Sequence, residues 1–399
     1  MVAERWAPRA AMVLALWAVT AAGACGSGGR QGPDSGGRQG PDGAAASDWS
    51  IMNLPATQTA FALHGVGADL YVAGNNGMVL RTGDGAKTWV DVSVAPASVG
   101  ATLSTYPVFK SIGASAADDV WVAGAVQPES GILMHTTDEG QSWQPIDVGT
   151  VGPFFGVWSV DRDHVFAATG TGQILATADG GARWTITFSD PHMVLWGAWG
   201  SASGDLYVVG GVVITGDGGV GGDAPDGGGT PDGGAATLPV YGGVVLHSSD
   251  SGMTWQNVVD AATACLLWRV SGTEDGATVY AVGDCGSVAS TTDHGTTWSI
   301  SGAVSAGEDY AINDVWVSPT GTSYLLPEGR GFTGLGLSNG YSVCRAVDLE
   351  DNGVTIITST GCQRLPPNGG FSSSPIAIWG TSDDDVWTVG SYTPLWHRS

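Results

Sequence analysis

Five carboxylates recur in one frame along this chain. The segments TGDGAKTW (82–89), TTDEGQSW (136–143), TADGGARW (177–184), SSDSGMTW (248–255) and TTDHGTTW (291–298) share the form [S/T]-x-D-x-[G/A]-x-x-W. Two carboxylates facing across a glycosidic bond can hydrolyse it. One carboxylate can equally accept backbone N–H groups inside its own tight turn. Repetition favours the second use for Asp84, Asp138, Asp179, Asp250 and Asp293. A catalytic pair is needed once, whereas a turn is needed in every repeat. The neighbouring Gly admits a positive φ. Trp89, Trp143, Trp184, Trp255 and Trp298 each bring a large ring for burial.

Few other residues are candidates for chemistry. Asp69, Asp119, Asp205 and Asp385 open strands, and only Glu308, Asp309 and Glu328 are acidic residues in repeat-breaking positions near loops. His135, His247 and His397 fall at one equivalent strand position, which marks them as structural. There is no G-x-S-x-G nucleophile elbow. No CxxC or His spacing supports a metal. The acidic residues of 215–236 (Asp217, Asp223, Asp226 and Asp232) lack an EF-hand ladder. No metal or cofactor is expected.

These residues need elements to hold them. Upstream of each box runs a short alternating strand ending in Gly: DLYVAG (69–74), DVWVAG (119–124), DLYVVG (205–210) and DVWTVG (385–390), with looser copies at 164–170 and 278–283. Before that comes another strand, often with Trp: VWSV (157–160), AWGS (198–201), LWRV (267–270), VWVS (315–318) and IWGT (378–381). The unit is strand A, strand B, strand C into the box turn, and strand D starting at the box Trp. Four antiparallel strands make a propeller blade. Seven units follow, starting near Phe61, Phe109, Phe154, Leu195, Cys265, residue 311 and Ile376. The sixth has no box, and the seventh stops at LWHRS (395–399) without a strand D. Residues 48–55, beginning Asp48-Trp49, look like a strand D with no blade before it. The expectation is an all-β, seven-bladed propeller spanning 48–399, its last blade completed by the N-terminal strand.

The recurring frame resembles the Asp-box, or BNR repeat, of sialidase-like β-propellers. That resemblance implies turns lying away from an active site, and, for a sialidase, several converging arginines. Beyond the tether the chain has Arg81, Arg162, Arg183, Arg269, Arg330, Arg345, Arg364 and Arg398, and only Arg269 falls on an innermost strand. The body is also similar to the photosystem II stability/assembly factor family, a seven-bladed propeller with a lipoprotein form. The Arg-rich partner surface that family implies is missing here, so only its architecture carries over.

The first 25 residues read as an export signal, with Arg5 and Arg9 before an apolar run at 10–22. Its end, Ala22-Gly23-Ala24-Cys25, resembles a bacterial lipobox, with Ala22 where Leu is usual, and implies lipidation of Cys25. Residues 26–47 repeat SGGRQGPD and suit a disordered tether; 215–236 read as a disordered insert in the fourth blade. Gly26 favours the outer membrane by the same resemblance. The net charge of −24 excludes a nucleic-acid groove and docking on an anionic membrane face, leaving the lipid as the only membrane contact. The four other cysteines suit an exported disulfide framework. The predicted hairpins favour Cys265–Cys285 and Cys344–Cys362.

B–C and D–A loops share one face of such a propeller, and A–B turns share the other with the boxes. Loop aromatics not required by the repeat, Tyr106, Tyr310, Phe332, Tyr341, Phe371 and Tyr392, are the candidate contacts. The expected function is a non-catalytic, monomeric envelope lipoprotein binding protein or glycan. The alternative is an exo-acting glycoside hydrolase of the sialidase-like type.

Overall fold

The computed structural model describes residues 49–56, 58–95, 106–126, 130–149, 151–214, 240–261, 264–302, 311–327, 342–349, 354–365, 375–391 and 394–399. Cys25, the signal and tether, the 215–236 insert, Glu308, Asp309, Glu328, Arg330, Tyr310, Phe332, Tyr341, Phe371 and Tyr392 lie outside them.

Seven four-stranded antiparallel sheets follow one another along the chain as blades of a propeller. In six blades the strands run A, B, C, D in chain order. The seventh takes its outermost strand from the N-terminus. Trp49–Asn53 pairs antiparallel with the C-terminal strand Pro394–Arg398, in the register Trp49 with Arg398 and Ile51 with Trp396. Trp396 is only 1% exposed there, and Trp49 packs in the same cluster. This closure removes the open edge that a seventh three-stranded blade would present.

Outer strands are shorter than the sequence suggests. Strand D begins one residue after the box Trp, and it has only two residues at Val90–Asp91, Gln144–Pro145 and Gln256–Asn257. The Trp itself leaves the ladder to reach a neighbour: Trp143 Nε1 donates to Val92 O at 2.7 Å, and Trp255 Nε1 donates to Thr187 Oγ1 at 3.1 Å, each on the preceding blade. A short outer strand also offers little edge for unwanted pairing.

The inner strands are Ala60–Val66, Pro107–Ala116, Phe154–Ser159, Met193–Gly200, Leu267–Gly272, Ile312–Val317 and Pro375–Ser382. Each carries a register shift at the same place, around Phe61, Lys110, Phe155, Trp196, Trp268, Asn313 and Ile376. One extra residue per strand bends the strand and re-aims the side chains beyond it.

Three residues past each bulge stands a residue that fits the next blade. Trp158 lies against Gly200, Trp199 against Gly272, Trp316 against Gly380 and Trp379 against Gly65, so closely that a Cβ on any of these glycines would fall 2.2 to 3.0 Å from a ring atom. In the other three junctions the next blade offers Ala114, Ser159 or Val317, and the facing residue is His64, Gly113 or Ser271. Ser271 Oγ instead accepts the Val317 N–H at 3.1 Å. A Trp wedge is thus found only where the next blade has Gly. The ring is built from paired choices across blade boundaries, which is how close-packed interiors limit substitution.

Both disulfides form the expected hairpin pairs, Cys265–Cys285 and Cys344–Cys362. The second joins directly paired residues of strands C and D in the sixth blade, which lacks a box.

Candidate functional site

Four of the five boxes use the same set of hydrogen bonds, and the third keeps all but one of them. In the first, Thr82 Oγ1 donates to Asp84 Oδ1 at 2.8 Å and accepts the Ala86 N–H, while Thr88 donates through its N–H and its hydroxyl to the two Asp84 oxygens. These bonds favour the ionised carboxylate and hold Asp84, Asp250 and Asp293 down at about 2. In the third box Arg183 replaces the hydroxyl residue, and only its N–H reaches Asp179. Left-handed backbone is needed at two successive positions. Glu139, Ser251 and His294 adopt it before the box Gly, and Ala86 adopts it in place of Gly. The box then seats on the preceding blade: a Cβ on Gly181 would meet Trp121, and one on Gly252 would meet Phe166.

The three repeated histidines are held the same way. His135, His247 and His397 stack on Trp121, Tyr207 and Trp387 at centroid distances of 3.8, 4.5 and 3.5 Å. Each Nε2 lies 2.7 to 3.1 Å from Asp119, Asp205 or Asp385. The first blade puts Arg81 in that place, 2.7 Å from Asp69. These carboxylates and imidazoles tie strand B to strand C, at a distance from the channel.

A cavity of about 630 Å³ occupies the central channel, lined by the inner strands from the bulges to the A–B turns. It therefore opens on the turn face, opposite the loop face expected to bind. Its floor is polar. Arg269 crosses the channel from the fifth blade to the second, where Nη2 donates to Lys110 O at 3.3 Å. Its Nε lies 3.8 Å from Asp314 Oδ1. Asp314 accepts the Val315 N–H and the Ile378 N–H of the next blade, both at 2.9 Å. Lys110 Nζ sits 3.4 Å over the Phe61 ring. On the loop side, Phe155 and Trp196 stack at 4.1 Å and pack with Leu266.

Burial dominates the floor's titration. It pushes Asp314 up to about 6, against the opposing pull of Arg269. It brings Lys110 down to about 7, helped by repulsion from Arg269. Above the floor, His64 meets Trp158 edge-on at 5.7 Å across the gap left by Gly113, and burial lowers its pKa to about 4. Trp199, Trp316 and Trp379 complete an aromatic collar. Glu274 is exposed at the lip.

Sequence reasoning found Arg269 and missed Lys110 and Asp314. Lys110 is one of only two lysines in the chain, which was an available signal. Asp314-Val315-Trp316 imitates the D-V-W opening of strand B, so the Asp looked like a turn residue. Tyr106 is half-buried just before the second inner strand. The structure does not bring it to the channel floor.

Residues 42–215 match the family of photosynthesis system II assembly factor YCF48. A photosystem II assembly lipoprotein, Ycf48 of Synechococcus sp. (strain CC9902), is 30% identical over 123 residues. That alignment covers 30% of this chain and 34% of the relative. The chain thus matches about a third of that protein's length. A solved structure of YCF48 bound to a D1 peptide superposes with a TM-score of 0.58 at 17% identity, covering 89% of this chain and 97% of the other. An ancestral GH74 enzyme superposes at 0.56 and 13% identity, covering 88% of this chain and 46% of the enzyme. These two likenesses establish the propeller fold, which serves binding proteins and enzymes alike.

Proposed function

We propose that this chain is a non-catalytic propeller that docks a protein partner during assembly of a membrane complex, tethered by lipid on Cys25. The observation that carries this reading is the use made of the repeated carboxylates. Every box Asp is spent in its own turn, and Asp119, Asp205 and Asp385 are paired with histidines. The similarity to YCF48, a protein solved with a peptide bound, supports a protein rather than a glycan as the partner. The Synechococcus relative is named a lipoprotein, in keeping with the lipobox. The loop face, with Tyr106, Tyr310, Phe332, Tyr341, Phe371 and Tyr392, is the proposed docking side, and the outer membrane the proposed address.

The test is affinity capture from solubilised envelopes with the full-length lipidated chain. One defined partner is expected, retained by wild type and lost on Tyr341→Ala or Phe371→Ala. Equal retention by both variants rejects the loop face. The alternative, a glycoside hydrolase, draws on one observation: Asp314 is a buried carboxyl with a raised pKa in a cavity, as a general acid would be. Turnover of chromogenic glycosides abolished by Asp314→Asn would establish it and overturn the binding reading.

A further inference from the structure

We propose that the channel binds a small neutral molecule with a flat aromatic body and an amide edge, its C=O facing Arg269 and its N–H facing Asp314. This goes beyond protein docking and uses the opposite face.

Hydrogen-bonding capacity on the floor is the first argument. A guanidinium carries five N–H donors in a fixed fork. Arg269 places two of them on backbone carbonyls, Trp268 O at 3.4 Å and Lys110 O at 3.3 Å. Its Nε stops 3.8 Å short of Asp314 Oδ1, so donors of this fork remain for a ligand. Each Asp314 oxygen accepts one backbone N–H, from Val315 and from Ile378, both at 2.9 Å. An ionised carboxylate has room for a further donor on each oxygen. A donor and an acceptor thus stand side by side on one cavity wall. A primary amide or a lactam presents the complementary acceptor and donor on neighbouring atoms.

Charge is the second argument. Arg269 and Asp314 already oppose each other across the floor. An added anion would meet Asp314 in a chain of net charge −24, and an added cation would meet Arg269. Either would leave water at a cost that the floor does not return. A neutral amide avoids both costs.

Shape is the third argument. A volume of about 630 Å³ lies within the range of small-molecule sites. Around the ring of inner strands, Trp158 and Trp199 belong to neighbouring blades, and Trp316 and Trp379 to a second neighbouring pair across the channel. His64 and Gly113 separate the pairs on one side, and Ser271 on the other. Burial lowers His64 to about 4, so at pH 7 it adds a neutral aromatic ring. Such walls suit a planar aromatic body.

Benzamide is the probe, with N,N-dimethylbenzamide, benzoate and acetamide as comparisons. Binding is followed at pH 7 by calorimetry and by the fluorescence of the collar tryptophans. Saturable benzamide binding is expected. Each comparison compound should bind weaker by about tenfold or more, through loss of the N–H donor, gain of a charge or loss of the aromatic body. Arg269→Gln is expected to lower benzamide affinity by a similar factor. Arg269 also ties two blades, so the series on the unaltered chain decides the matter even where the variant unfolds. No saturation by benzamide, or equal affinity for any of the three comparison compounds, overturns the proposal. Partner capture is read separately and is unaffected by either result.

Discussion

The wedge at the first junction gives a demanding prediction. Gly65 lies under Trp379, and a Cβ there would fall 2.2, 2.4 and 2.4 Å from three ring atoms. Ordinary carbon contacts are about 3.5–4 Å, so the ring must retreat by about 1 Å or more. Gly65 has no positive φ, and Ala brings no backbone strain of its own. Gly65→Ala is therefore expected to destabilise by about 1–3 kcal/mol through overpacking alone. Trp379→His, which copies the His64–Ala114 junction, removes a half-buried ring and costs about 2–4 kcal/mol. The double variant recreates that junction at a new place in the ring. Its stability should equal that of Trp379→His alone, a coupling of about 1–3 kcal/mol. Equilibrium urea unfolding, followed by near-UV circular dichroism at constant m-value, reads this directly. Additivity within about 0.5 kcal/mol, or a Gly65→Ala variant as stable as wild type, would refute the pairing of wedge and glycine.

Other outcomes follow from the same contacts. Removing residues 396–399 takes away the fully buried Trp396 and the partners of Trp49 and Ser50, and should leave no cooperative near-UV melting transition; a stable ring would contradict the closure. Lys110→Met should be more stable than wild type at pH 6 by roughly 1–3 kcal/mol, because the wild type must then bury a charged ammonium; denaturant midpoints at pH 6 and 9 check this, and the gain should shrink at pH 9. Lys110 has a folded pKa near 7 and an ordinary one of 10.5, so its share of stability rises as pH climbs between them. Asp314, raised from 3.8 to about 6, gives the opposite slope between those values. Asp84, Asp250 and Asp293, held near 2, stabilise above their ordinary range and lose that contribution as pH falls from 4 towards 2, an acid limb that Asp84→Asn should weaken. Replacing Cys344 and Cys362 by Ser opens a crosslink spanning 18 residues and should cost about 3 kcal/mol, seen in the thermal midpoint.

The blade count and the closure were legible because both are written in local repeats. A box recurs once per blade, and Trp49 begins a strand D that has no blade before it. The turn chemistry was legible for the same reason. The channel floor was not, because its residues occur once. Lys110 takes the bulge position that holds Phe61 or Phe155 elsewhere, and repeat reasoning discards such exceptions as variation. Arg269 was visible as an arginine on an inner strand. Its partners were hidden, since reaching from the fifth blade to the second is a property of the closed ring. The Trp–Gly pairs lay in the sequence throughout, yet they couple residues of different blades, and no single repeat displays them.

The seam between Trp49–Asn53 and Pro394–Arg398 also sets a timetable. Ser50 and His397, bonded across it, are separated by 347 positions. Synthesis proceeds from the N-terminus, so the first strand to emerge must wait, unpaired, for the last. Until then the inner strands lack one neighbour, and the Trp379 wedge has not met Gly65. Closure is necessarily a late event with a large loop-closure entropy. Until closure the chain exposes an unpaired N-terminal strand, and the C-terminal strand, once made and paired with Asp385–Gly390, keeps one open edge; a second nascent chain could capture either in a domain-swapped dimer.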